Sequence, residues 1–219
     1  MADISTLDGP QALPAAGGDP KSIVIFLHGY GSNGADLIGL ASYWRAALPN
    51  TLFIAPNAPQ SCPGAPGGYQ WWPLTSLEPA ARAAGVREPA AVLNAFIDSQ
   101  LKLHGLTEDK LALVGFSQGT MTALHVGPRR ERPIAGIVGY SGMLVDGQAL
   151  AAEGRTKPPV LLVHGADDAV LPVAVLHDAE RTLDALGFSV STHVSPRLGH
   201  SIDEDGLSLG VQFLAEVLG

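Results

Sequence analysis

Six short apolar runs, rich in β-branched residues, lie at 23–27, 52–55, 111–116, 134–140, 160–164 and 188–194. Runs this short and continuous carry no polar face, so they suit strands covered on both sides. Helical patterns fall between and after them, at about 36–47, 88–104, 118–126, 173–186 and 205–218. In the last, Leu207, Val211, Leu214 and Leu218 recur at helical spacing. Strand alternating with helix predicts an α/β fold with a mostly parallel central sheet and helices on both faces. A site on such a sheet forms at the carboxyl ends of the strands.

The 219 residues are enough to bury one sizeable core. Thirteen Lys and Arg against 21 Asp and Glu give a net charge of −8. That balance argues against nucleic acid and against anionic membrane surfaces as partners. Cys62 stands alone, so no internal disulfide can form and no oxidising compartment is required. Residues 1–22 are rich in Asp, Gly, Pro and Ala and hold no apolar core of a signal peptide. The sequence predicts a flexible extension over 1–22, a single domain over 23–219, no membrane-spanning segment and a cytoplasmic location. Oligomeric state stays open, a homodimer included.

Gly115-Phe116-Ser117-Gln118-Gly119 reads G-x-S-x-G, with an apolar run before it and a helical pattern after it. A strand, a sharp turn and a helix with Ser at the apex make a nucleophile elbow. Side chains at Gly115 and Gly119 would collide where strand and helix approach closely.

A serine nucleophile needs a base, and the base needs an orienting acid. On this fold the partners follow the serine in the order acid, then His. His28 and His104 precede the elbow, and His125 lies on the helix behind it. His164 ends a strand ahead of any suitable acid. His177 falls in a helical pattern and His193 in a strand. His200 remains, in a loop between the sixth strand and the final helix. The acid is Asp167 or Asp168, both directly after the fifth strand; spacing alone does not separate adjacent residues.

Acyl transfer also needs two preorganised N–H donors for the oxyanion. One is expected from Gln118, the residue after the nucleophile. The other is expected from the loop His28-Gly29-Tyr30-Gly31-Ser32-Asn33-Gly34. That loop also spells G-x-G-x-x-G, a dinucleotide fingerprint. Its required acidic residue is missing, because the second strand ends in Ala55-Pro56-Asn57. No metal-binding motif or phosphate loop occurs, so neither cofactor nor metal is expected.

Residues 56–85 hold six prolines and look irregular. A stretch this long inside a domain is usually functional. Trp71 and Trp72 within it suit either the core or a pocket wall, with the wall somewhat favoured. Trp71, Trp72 and Leu74 are expected to face Met143 and Leu144 across an open apolar acyl groove without a lid.

Six segments together resemble the carboxylesterase and acyl-protein thioesterase family of small α/β-hydrolases, also called the phospholipase/carboxylesterase family. They are Leu27-His28-Gly29-Tyr30-Gly31, Asn57-Ala58-Pro59, Gln70-Trp71-Trp72, the elbow, His164-Gly165-x-x-Asp168-x-x-x-Pro172, and Gly199-His200. The resemblance implies Ser117 as nucleophile, Asp168 as acid and His200 as base. It also implies the backbone N–H groups of Tyr30 and Gln118 as the oxyanion hole. Tyr30 departs from the family's frequent Leu, Thr120 from a frequent Gly and Trp72 from a frequent Phe. The function expected is hydrolysis of short- to medium-chain carboxylic esters through an acyl-enzyme, with a small-molecule ester as partner. An acyl-protein or acyl-CoA thioesterase or a lysophospholipase is the alternative within the class. A non-catalytic binding protein on the same scaffold is the alternative outside it.

Overall fold

The computed structural model describes residues 7–76 and 78–219. Its strands are β1 (Gln11–Ala12), β2 (Ser22–Leu27), β3 (Thr51–Ile54), β4 (Gln60–Ser61), β5 (Tyr69–Gln70), β6 (Leu111–Phe116), β7 (Gly136–Tyr140), β8 (Val160–Gly165) and β9 (Val190–Ser195). Its α-helices are α1 (Gly34–Ile38), α2 (Ala41–Trp44), α3 (Pro79–Gly85), α4 (Ala90–His104), α5 (Gln118–Val126), α6 (Gly147–Glu153), α7 (Ala174–Ala185) and α8 (Glu204–Leu218). Seven strands form one sheet in the order β1-β3-β2-β6-β7-β8-β9. Only the β1–β3 pairing is antiparallel. Each of the six apolar runs supplies one parallel strand.

The continuous apolar runs split by parity between two cores, because successive side chains on a strand point to opposite faces. Ile23, Ile25, Leu27, Leu111, Leu113, Ile137 and Leu162 join one cluster, with Leu93, Ile97, Leu124, Leu176 and Leu183 from α4, α5 and α7. Val24, Phe26, Val114, Val138, Tyr140 and Val163 join the other, under Leu37 and Trp44 on one side and Leu214 and Leu218 of α8 on the other. The sheet is therefore covered on both faces, and its central strands are buried along their length except at Phe116, the half-buried end of β6.

Three features differ from expectation. The helix expected over 36–47 is two short helices broken at Gly39. There Leu40 N–H donates to Leu37 O and Ser42 Oγ to Gly39 O, at 3.0 and 2.7 Å. The irregular stretch 56–85 contains the β4–β5 hairpin and α3. Pro79 reads as a breaker in sequence but occupies the start of α3, where its missing N–H costs nothing. Within the supposed extension, residues 8–12 lie against the sheet. Gln11 and Ala12 pair with Ile54 and Phe53. Ala55 and Asn57 N–H donate to Pro10 O and Asp8 O at 3.0 and 2.7 Å. Residues 1–6 lie outside the described residues. Among the described residues no helix is long and apolar enough to cross a membrane.

Candidate active site

The elbow forms where β6 ends. Ser117 has φ 53° and ψ −114°. A non-glycine residue held there stores about 1–3 kcal/mol, which its surroundings must offset. Two bonds to one carbonyl do so. Ser117 N–H and Thr120 Oγ1 both donate to Tyr140 O, each at 2.9 Å. The motif glycines are required by close approach: a Cβ on Gly115 would stand 2.3 Å from Thr120 N, and one on Gly119 would stand 1.8 Å from Leu27 O. Thr120, a departure from the family pattern, fits because Gly139 and Gly142 leave room. A Cβ on either would come within 2.5 Å of it.

The loop after β2 lies against this turn. A Cβ on Gly29 would meet Phe116 Cδ1 at 3.1 Å and Ser117 Cβ at 3.4 Å. Gly31 and Ser32 N–H are spent within the fold, on Tyr69 O at 2.9 Å and Gly29 O at 3.2 Å. Tyr30 N–H and Gln118 N–H, by contrast, have no acceptor among the described residues. The loop is braced from behind by His28 and Asn57. His28 Nδ1–H donates to Gly29 O at 2.7 Å, and Nε2 accepts from Ala58 N–H at 3.0 Å. Burial lowers the His28 pKa, which suits a ring that must stay neutral to accept. Asn57 Oδ1 accepts from Gly34 N–H at 2.9 Å. The apparent dinucleotide fingerprint thus belongs to the loop facing the elbow, and it leads into a helix of only five residues.

Of the two aspartates after β8, Asp167 is exposed and Asp168 is turned inward. Asp168 Oδ1 accepts from Val170 and Leu171 N–H, both at 2.9 Å, and Oδ2 accepts from His200 Nδ1 at 2.7 Å. Burial alone would raise the Asp168 pKa. The bonds from Leu171, His200 and Val170 outweigh it and hold the carboxyl below its ordinary range. The His200 ring packs against Phe116, the residue before Ser117, with centroids 5.0 Å apart. No hydrogen bond joins Ser117 Oγ to that ring among the described residues; such bonds often close only when substrate binds.

The Trp71–Trp72 pair lies elsewhere than expected. The two side chains are 0% and 1% exposed and belong to the core. They are large enough to fill the space under the loop, and Trp71 Nε1 finds a partner in His28 O at 2.9 Å. Met143 is half-buried on a loop beside α5, and its Sδ accepts from Arg82 Nη1 at 3.4 Å. Sequence reasoning missed three supports. The Gln118 side chain, whose backbone alone was assigned a role, clamps the tryptophan segment. Its Oε1 accepts from Trp71 N–H at 2.9 Å and its Nε2 donates to Trp72 O at 2.8 Å. Ser141, at φ 45°, donates Oγ to Ser201 O at 3.2 Å, tying the loop after β7 to the His200 loop. His164 lies under Asp168, and its position after an apolar run was the one available signal. Among the described residues no cluster of His, Cys, Asp and Glu has the arrangement of a metal site.

Gln118→Ala would leave Trp71 N–H and Trp72 O buried without partners. A loss of about 2–4 kcal/mol is expected from two such groups, measured by urea unfolding. A variant as stable as the parent would mean that water or a backbone shift replaces the clamp.

A parallel sheet with this order, a positive-φ serine after its central strand and a carboxylate–imidazole pair at the same end define an α/β-hydrolase. The phospholipase/carboxylesterase family model matches residues 11–218, and the chain belongs to that family. Membership makes it a hydrolase of the esterase and thioesterase class. The crystal structure of esterase PE8 superposes with a TM-score of 0.94 at 44% identity, covering 98% of this chain and 100% of that one. Acyl-protein thioesterase 1 of Schizosaccharomyces pombe is 29% identical over 206 residues, 90% of this chain and 91% of that protein. Esterase YpfH of Escherichia coli is 23% identical over 197 residues, 89% of this chain and 82% of that protein.

Proposed function

We propose that the chain is a serine carboxylesterase acting on short- to medium-chain esters, in the cytoplasm and without a cofactor. The observation that carries this reading is the 2.7 Å Asp168–His200 pair, whose imidazole packs on Phe116 of the strained elbow. Ser117 Oγ adds to the ester carbonyl carbon while its proton passes to His200 Nε2. Asp168 holds the proton on Nδ1 and stabilises the imidazolium. Charge gathers on the former carbonyl oxygen, where the free N–H groups of Tyr30 and Gln118 donate to it. Collapse breaks the bond to the alcohol, whose oxygen takes the proton back from His200. Water then adds to the acyl-enzyme, with His200 again as base, and releases the acid and Ser117.

An apolar acyl group is supported by three large exposed hydrophobic side chains near the carboxyl ends of the strands. Tyr30 is 42% exposed after β2, Val170 is 65% exposed after β8, and Leu74 is 37% exposed beyond the Gln118 clamp. Because Trp71 and Trp72 are buried, these side chains and Met143 are the ones proposed to contact the acyl chain. The name of the esterase 44% identical to this chain favours an oxyester. The name of the thioesterase 29% identical to it keeps an acylated protein as the second reading.

Nitrophenyl esters from acetate to palmitate, with matched thioesters beside them, test the substrate. Each added CH₂ is expected to contribute about 0.8 kcal/mol, roughly fourfold in kcat/KM, until the groove is filled. A flat profile from acetate to octanoate removes the apolar groove. Thioesters consistently faster than oxyesters would favour the second reading.

A further inference from the structure

Ser141 follows β7 directly, is 0% exposed and holds φ at 45°. Its N–H donates to Val163 O at 2.9 Å, which continues the pairing of β7 with β8 past the end of the strand. Glycine takes a positive φ freely, whereas a residue with a Cβ is strained there. The chain nevertheless has Ser at 141 and glycine only at 142. What serine offers that glycine lacks is the hydroxyl. Among the described residues its partner is Ser201 O, at 3.2 Å.

Ser201 belongs to the turn that carries His200. Its N–H donates to Gly199 O at 2.9 Å, which closes a three-residue γ-turn with His200 at the apex. The incoming limb of this turn is fixed against the loop after β8. Leu198 O accepts from Asp167 N–H at 2.9 Å, and a Cβ on Gly165 would stand 2.3 Å from both Leu198 O and Gly199 O. The outgoing limb is held at its carbonyl by Ser141 Oγ. The other end of the same short segment holds the elbow, because Ser117 N–H donates to Tyr140 O at 2.9 Å. Residues 140 and 141 therefore bind the backbone of Ser117 on one side and the turn of His200 on the other.

We propose that Ser141 is a positioning residue: its hydroxyl anchors the outgoing limb of the His200 turn and so fixes the base relative to the nucleophile. The inference rests on the triad reading, since without it the turn has no alignment to keep. The bond of His200 to Asp168 and its packing on Phe116 both act on the ring. Neither holds the backbone from which the ring projects. The backbone strain at Ser141 is then the cost of placing a hydroxyl where glycine would fit without strain.

The test compares Ser141→Gly, which loses the hydroxyl and relieves the strain, with Ser141→Ala, which loses the hydroxyl and keeps the strain. kcat and KM are measured with a nitrophenyl ester, and urea unfolding is followed on the same preparations. Both variants are expected to lose about tenfold in kcat with KM little changed, because alignment of the base counts in the transition state and not in holding the ester. Labelling of Ser117 by a fluorophosphonate should slow by a similar factor. Ser141→Gly should unfold at higher urea than Ser141→Ala, since only glycine suits the positive φ. Similar kcat losses at different midpoints support the inference, because a purely structural role would make activity follow stability. A folded Ser141→Gly enzyme with the parent's kcat and labelling rate overturns it, as does a loss in Ser141→Gly that a folded Ser141→Ala does not share. Should Ser141→Ala not fold, Ser141→Gly decides by itself. Ser117→Ala run alongside separates the two claims. Its inactivity upholds the triad reading, so that a Ser141→Gly enzyme as fast as the parent then counts against this inference alone. An active Ser117→Ala removes the triad reading and this inference with it.

Discussion

Ser117→Ala is expected to lower kcat for ester hydrolysis by about 10⁶ while leaving the fold intact. The hydroxyl is the only group removed, and it makes no capping bond to α5. The backbone bond from Ser117 N–H to Tyr140 O stays, as do the bonds of Gln118 to the tryptophan segment. Denaturation midpoints of variant and parent should therefore agree within experimental scatter. Loss of activity with loss of fold would be uninformative on chemistry, so both are measured on one preparation. A folded variant with a tenth of the parent's rate would remove Ser117 as nucleophile.

Asp168→Asn is expected to cost about 10⁴ in kcat, and Asp167→Asn far less. The difference follows from where the two side chains point. In the asparagine variant Oδ1 still accepts from Val170 and Leu171 N–H, because those donors select the oxygen. The new amide nitrogen then occupies the place of Oδ2, facing His200 Nδ1. Two donors cannot share that contact, so His200 turns to the tautomer with its proton on Nε2. That ring cannot take the serine proton. Asp167 is exposed and is held to the fold through its backbone, donating N–H to Leu198 O at 2.9 Å, which an amide side chain leaves alone. Comparable losses at the two positions would mean that the turn, not the carboxylate, matters.

The parallel sheet was legible because strands buried on both faces leave unbroken apolar runs, as β2, β6 and β8 do. The edge strand β1 was not, because two residues carry no period and its pairing depends on a distant partner, β3. The break at Gly39 escaped because apolar spacing continues across it. In the candidate site, Ser117 and His200 could be proposed from the sequence because each follows the carboxyl end of a strand and chain order sorts the histidines. The choice of Asp168 over Asp167 needed the family resemblance first and the turn geometry afterwards. Trp71 and Trp72 were misplaced because a Pro- and Gly-rich loop looks like surface. Their burial depends on the Gln118 clamp, a contact across 46 or 47 positions that no local pattern encodes. The supporting roles of His28 and Ser141 escaped for the same reason, since their partners Ala58 and Ser201 lie 30 and 60 positions away.

The most direct test of the central claim is covalent capture of the nucleophile. The parent protein is incubated with a fluorophosphonate ester and digested, and the modified peptide is sequenced by mass spectrometry. The account predicts a single stoichiometric adduct on Ser117, formed slowly or not at all in Asp168→Asn, with ester hydrolysis lost in proportion to labelling. Hydrolysis that survives complete labelling of Ser117, or an adduct on another residue that abolishes activity while Ser117 stays unmodified, would contradict it.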